Sequence, residues 1–240
     1  MRVLSIVHHH NAAAGVFGEV PGTELTEWMP SADGSVPSLD EFDAVMVFGG
    51  AMHVDQEQSH PWLRAEKALL GELLERGTPL LGVCLGSQLL AEAAGAAARR
   101  AAAPEIGWRR VDVIGEGRDD PLIGPLAPSF EVFEWHSYEA PLPPGAVALA
   151  RNDVCLQAFR LGGKPAWGVQ FHAEVTGPDI GSWLDAWGED EDALRSGLDP
   201  EALRAETEQR IGAQNELGRE LAARFVAEAQ RRTADLSTRG

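Results

Sequence analysis

Along the chain, short apolar runs of strand length alternate with segments whose apolar residues recur at helical spacing. Residues 2–8, 44–48 and 78–83 read as buried strands. The glycine-, proline- and serine-rich stretch 11–40 reads as loop with a short strand near Thr23 to Trp28. Pro61 to Arg76 is the clearest helix: Pro61 suits its first turn, Trp62, Leu69, Leu70 and Leu73 form an apolar face, and Gly77 stops it. A second helical segment runs from Ser87 to Ala94. Further strands at 108–114, 130–135, 146–150, 154–160 and 166–172 lie close together without helices between them. The pattern predicts an α/β fold with a mostly parallel central sheet, helices on both faces and an antiparallel extension.

No repeat or linker interrupts the chain before about residue 176. After it come a short helix from Pro178 to Trp187, an acidic loop at Gly188 to Asp192 that reads as solvated surface, and a long helical segment from Pro200 to about Arg232. Leu217, Leu221 and Phe225 recur every four residues and give that segment an apolar face, expected to pack on the sheet or, alternatively, on a partner; Gly212 and Gly218 argue against its continuity. The expected organisation is a unit at 1–176, a helical extension at 177–232 packed on the same domain, and a disordered tail at 233–240.

Gly82-Val83-Cys84-Leu85-Gly86 joins the strand 78–83 to the helix that follows. A sharp strand-to-helix turn with small neighbours tolerates strained backbone angles and lifts one side chain clear of the sheet, as a nucleophile elbow does. The positive end of the helix dipole favours the thiolate there. Taken alone, a cysteine between glycines is equally a small apolar residue packed under a helix.

Trp167 to Glu174 supplies the partners: an apolar run ends in His172, with Glu174 two residues on. Residues i and i+2 of a strand share a side, so if the strand runs to its end Glu174 meets the His172 ring, fixes its tautomer and supports its protonated form. His172 is then placed to take the Cys84 proton. His8-His9-His10 reads differently, because consecutive rings of an extended chain diverge and no acidic partner is spaced for a cage; no metal is expected. Cys155 lacks an elbow and reads as core packing, and Trp108, Trp135 and Trp167 as core cover.

Gly82 to Ala91 together with Gly168 to Glu174 resembles the signature of class I glutamine amidotransferase domains, in particular stand-alone proteins similar to the glutaminase domain of GMP synthetase. The resemblance extends to Val47 to Met52, Glu105 to Trp108 and Glu134 to Ser137, and so covers about residues 1 to 175. It implies a flavodoxin-like sheet and a cysteine that attacks a glutamine side-chain amide, forms a γ-glutamyl thioester and releases ammonia. Cys84, His172 and Glu174 match the triad, and the N–H groups of Gly50 and Leu85 match the oxyanion hole. Gln88 matches a position that contacts substrate, and His136 and Ser137 match a loop that touches its α-amino and carboxylate end, mostly through backbone. No cofactor is implied.

The chain departs from the family's usual pattern in three places. Ala51 stands where proline is common, the Trp135 to Glu139 loop lacks the usual glycine and aspartate, and Ala96 to Ala103 replaces more varied residues. The loop bears on whether free glutamine or a larger γ-glutamyl compound fits.

A chain of 240 residues with 44% hydrophobic content and a mean hydropathy of -0.17 has the composition of an ordinary soluble protein, with no apolar run of spanning length. Two cysteines and no export signal point to a reducing, cytoplasmic setting. With 20 basic against 37 acidic side chains, the net charge of -17 argues against nucleic acid and anionic membranes as partners. The expected activity is hydrolysis of a γ-glutamyl amide, glutamine by default. Because the chain has no room for an ATP-using synthetase domain, ammonia would pass to a separate synthetase or acceptor subunit. The alternatives are a γ-glutamyl peptidase or hydrolase acting alone and a non-catalytic regulatory or binding subunit.

Overall fold

Strand β1 (Arg2–Ile6) pairs in parallel with β2 (Glu24–Trp28) on one side and β3 (Ala44–Val47) on the other, and β4 (Leu80–Val83) and β9 (Ala166–Val169) continue the parallel half. Beyond β9 the pairing turns antiparallel through β8 (Leu156–Arg160), β7 (Val147–Arg151), β5 (Arg99–Val113) and β6 (Ser129–Glu139). One nine-stranded sheet results, in the order β2-β1-β3-β4-β9-β8-β7-β5-β6. The structure is a computed structural model and describes residues 1–237.

Side chains alternate across each strand, so neighbouring apolar residues enter different cores. Leu4, Ile6, Val45, Val47 and Leu80 pack under α1 (Trp62–Arg76) and α2 (Leu85–Ala93). Val3, Ala44, Met46, Leu81 and Val83 face the other way, onto Leu221, Phe225 and Ala229 of α5 (Pro200–Ser237). Helices therefore cover both faces of a mixed sheet. Helix α1 ends where Gly77 takes a left-handed φ of 71° and its N–H reaches back to the last turn.

Three expectations change. Strand β5 begins at Arg99 instead of 108, because the alanine-rich stretch pairs with β6: Arg99 meets Glu139 at 2.8 Å and the Arg100 guanidinium lies over the Tyr138 ring. Strand β9 stops at Val169, short of 172; His172 instead makes an isolated antiparallel bridge to Phe133, whose carbonyl accepts its N–H at 2.9 Å. Helix α5 runs unbroken through Gly212 and Gly218 and continues past Thr233 to Ser237, where a disordered tail is expected; residues 238–240 lie outside the described residues.

Between β9 and α5 lie α3 (Gly177–Ala186) and the short α4 (Glu191–Ser196). Thr176 and Asp179 form a capping box at the start of α3, and Asp190 accepts the N–H groups of Asp192 and Ala193 to start α4. These two helices bring the acidic segment up against the C-terminal ends of the parallel strands.

Candidate active site

Cys84 is the only non-glycine with positive φ among the described residues, at φ 52° and ψ −110°. Such a backbone costs roughly 1–3 kcal/mol and persists only when its surroundings enforce it. Here they do. A Cβ at Gly82 would stand 2.6 Å from the Gly86 carbonyl oxygen, one at Gly86 would stand 2.1 Å from that of Val47, and the Cys84 N–H is tied to Val169 O at 2.8 Å. The strand-to-helix turn closes because both flanking residues lack a side chain.

His172 lies beside the elbow. Its Nδ1 is 2.7 Å from Oε1 of Glu174, which fixes the tautomer on that side, and both residues are buried. Burial alone disfavours the cation, but the charges of Glu174 and Cys84 and hydrogen bonds to both outweigh it and hold the His172 pKa well above 6.5. Gly49 fits between the two reactive groups: a Cβ there would be 2.9 Å from His172 Cε1 and 3.6 Å from Cys84 Cβ. The pairing expected from a continuous strand is thus realised across a strand that has already ended.

What replaces the strand is a set of braces. The Glu174 carbonyl accepts Val16 N–H at 2.8 Å, Asn215 Nδ2 of α5 donates to Val175 O at 2.8 Å, and Gln214 Oε1 accepts Phe133 N–H at 2.6 Å beside the His172 bridge. The ring edge of His172 also meets Trp183 of α3 at 5.0 Å.

The other expected residues divide. Gly50, Leu85, Gln88, His136 and Ser137 all line the cleft that holds Cys84 and His172. Leu85 is the first residue of α2, so its N–H has no acceptor within the helix. Gln88 is buried, with its amide nitrogen 3.0 Å from Tyr138 O and 3.1 Å from Gln170 Oε1. The His136 side chain is sequestered: Nδ1 donates to Tyr138 O at 2.9 Å, and Nε2 lies 3.2 Å from Glu105 and 3.3 Å from Glu134. Burial opposes its charge, but the two carboxylates push its pKa up to about 10. Burial raises Glu134, neither of whose oxygens has a hydrogen-bond partner. Glu105 is held below the usual range despite burial by His136, Asn152 and Cys155. Glu105 therefore carries the anion of the pair. Glu105, His136 and Cys155 are of metal-ligating type and lie within 4.8 Å of one another, but Asn152 and Gln157 already donate to both Glu105 oxygens.

The cleft encloses about 730 Å³. Its outer wall overturns two surface readings. Residues Glu189 to Asp192 line it instead of forming a free acidic loop, because Asp192 pairs with Arg100 at 3.1 Å and Asp190 accepts the Trp135 indole N–H at 2.9 Å. Trp135 accordingly belongs to the cleft, with Trp183 and Trp187 beside it. Sequence reasoning also missed Glu66, Arg100, Gln214 and Asn215. The available signal was an acidic residue on the apolar face of α1; residues contributed by α5 carry no motif.

The family model for Glutamine amidotransferase class-I matches residues 22–183. The glutamine amidotransferase-like protein YfeJ of Salmonella typhimurium is 32% identical over 184 residues, 73% of this chain and 77% of that protein. The glutamine-hydrolyzing subunit of GMP synthase from Sulfolobus acidocaldarius is 33% identical over 147 residues, covering 60% of this chain and 73% of that protein. A γ-glutamyl-L-1-hydroxyisopropylamide hydrolase of a Pseudomonas species is 31% identical over 154 residues, covering 61% of this chain and 52% of that enzyme. Among solved structures, a glutamine amidotransferase from Thermotoga maritima superposes with a TM-score of 0.83 at 29% identity, over 94% of this chain and 98% of that one.

Proposed function

This chain belongs to the class I glutamine amidotransferase family, and from that premise we propose that it hydrolyses γ-glutamyl amides through a thioester on Cys84, with glutamine the default substrate. The observation that carries the reading is the 2.7 Å contact of His172 with Glu174 next to the strained Cys84 turn. A nucleophile, a base and an orienting carboxylate are thereby within one cleft.

In this reading His172 takes the Cys84 proton and the thiolate attacks the γ-carbonyl carbon. Negative charge moves to the carbonyl oxygen, where the N–H groups of Gly50 and Leu85 receive it; each such donor contributes about 2.7–4 kcal/mol. The tetrahedral intermediate collapses with cleavage of the C–N bond, and His172 returns the proton to the departing nitrogen, ammonia in the case of glutamine. Water, deprotonated by His172, then attacks the thioester; the carbon–sulfur bond breaks, the thiolate recovers a proton and glutamate leaves. Glu174 keeps the imidazole oriented and supports its cationic form throughout.

Ammonia released this way would serve a separate acceptor enzyme. A second reading, hydrolysis of a larger γ-glutamyl conjugate by the chain alone, is favoured by the cleft: about 730 Å³ falls within the roughly 300–1,000 Å³ that takes ligands well above amino-acid size. Among the described residues no helix is long and apolar enough to cross a membrane.

The test offers glutamine, glutathione and γ-glutamyl dipeptides to wild type and to Cys84→Ser, assaying glutamate and ammonia. Thiol-dependent ammonia release from glutamine supports the first reading, and amine or peptide release from the larger compounds supports the second. Absence of any turnover, with and without Cys84, would sink both.

A further inference from the structure

His8 closes β1 with its ring buried beneath the glycine loop that follows β3. Nδ1 lies 3.1 Å from the Phe48 carbonyl oxygen and 3.0 Å from that of Gly49, while Nε2 lies 3.1 and 3.0 Å from the two oxygens of Glu66. Carbonyl oxygens only accept, so Nδ1 carries a proton, and a carboxylate on the other side draws a second proton to Nε2. The ring is an imidazolium, stacked on Trp62 at 5.3 Å. Neither the His8 nor the Glu66 side chain exposes any surface. Glu66 shares its helix face with Leu63, Leu70 and Leu73, where a carboxylate without a cationic partner would be strongly disfavoured.

Such a pair is by itself weak grounds for stability; its consequence is directional. In a planar trans peptide the carbonyl of one residue and the N–H of the next point opposite ways. Holding the Gly49 carbonyl on His8 therefore turns the Gly50 N–H away from His8 and toward the cleft that Gly50 lines. Two glycines flanking one peptide leave it unusually free to rotate. No side chain can restrain it from within, since a Cβ at Gly50 would stand 2.6 Å from Met52 Sδ and 2.8 Å from His8 Cβ.

We propose that His8, held by Glu66, is a positioning residue that fixes the Gly49–Gly50 peptide with its N–H facing the γ-glutamyl carbonyl. The proposal rests on the reading of Gly50 as an oxyanion donor. It assigns His8 no contact with substrate and no proton transfer.

The test compares wild type, His8→Ala and His8→Asn in steady-state turnover, in alkylation of Cys84 by iodoacetamide, and in crystal structures. Alkylation needs the thiolate but no oxyanion donor, so it separates loss of the peptide from collapse of the site. The expected result is a fall in kcat of about 10²–10³-fold for His8→Ala, the size of one lost oxyanion donor, with KM within about two-fold on the same ground that the interaction is made only in the transition state. Alkylation should keep its wild-type rate, and the Gly49–Gly50 peptide should be rotated. His8→Asn, whose amide nitrogen takes the place of Nδ1, should recover much of kcat. Wild-type kcat in His8→Ala, or kcat and alkylation falling together with His8→Asn no better, would overturn the proposal. If wild type turns over no γ-glutamyl compound, the catalytic reading fails and the peptide orientation still decides: unchanged in His8→Ala, it rules the clamp out; rotated, it upholds it.

Discussion

Gly218, midway along α5, lies so close to Ala173 that a Cβ built on it would stand 2.1 Å from the Ala173 carbonyl oxygen. Ala173 separates His172 from Glu174, so the long C-terminal helix sets the backbone between the proposed base and its orienting carboxylate. Gly218→Ala must push that backbone or the helix aside. It is expected to destabilise the protein by about 1–3 kcal/mol and to lower kcat by on the order of 10²-fold, the scale of an ångström-level misplacement. Gly212→Ala, with nothing within 4 Å of the added Cβ, should instead stabilise by about 0.5–1 kcal/mol. Denaturant unfolding and steady-state kinetics on both variants check the contrast; unaltered kcat in Gly218→Ala would refute the bracing role.

Glu174→Gln keeps the shape of the side chain but removes the charge that raises the His172 pKa. The expected loss in kcat is about 10²–10⁴-fold. A group with a raised folded pKa adds stability that is complete below its unfolded value, near 6.5, and is lost as pH rises through the folded value. The variant should therefore lose stability relative to wild type chiefly at neutral and acid pH, and the two unfolding curves should converge at high pH. A gap that widens with rising pH would contradict the assignment.

The parallel half of the fold was legible because its strands are buried on both faces and read as continuous apolar runs, and because Gly77 marks the end of α1 in the sequence as it does in space. Cys84, His172 and Glu174 were legible for a different reason: a strained turn needs Gly82 and Gly86 on either side. What escaped was non-local. Alanine has little strand preference, so only pairing with Glu139 and Tyr138 draws Arg99 and Arg100 into β5. Gly218 looked like a helix breaker because its justification, the Ala173 carbonyl, is distant in sequence. The acidic segment looked solvated because nothing local announces that Arg100 and Trp135 will meet Asp192 and Asp190.

His136 gives a second, separable pH signature. Its pKa of about 10 comes from Glu105 and Glu134 outweighing burial, so its stabilising effect is complete below about pH 6.5 and disappears by pH 10. Stability of wild type should decline over that window, and His136→Gln should be less stable below it while showing a flatter alkaline limb. Unfolding free energies at several pH values between about 6 and 10.5 decide; parallel curves for the two proteins would mean that His136 is not charged in the folded state.

Asp190 joins two parts of the cleft wall, accepting the Trp135 indole N–H while capping the first turn of α4. If the outer cleft accommodates the leaving group of a γ-glutamyl conjugate, loosening this wall should matter only when a leaving group is there to touch it. Asp190→Ala forfeits a helix cap of about 1 kcal/mol and frees the indole, without touching Cys84, His172 or Glu174. The expected outcome is a KM for a γ-glutamyl arylamide or dipeptide raised about ten-fold, equivalent to roughly 1.4 kcal/mol, against a change of less than about two-fold for glutamine and little change in either kcat, since ground-state and transition-state binding of the leaving group are weakened equally. Parallel measurements on the two substrates check this. An equal rise in both KM values would place the effect on the glutamyl portion they share, and the larger cleft would then give no ground for a conjugate substrate.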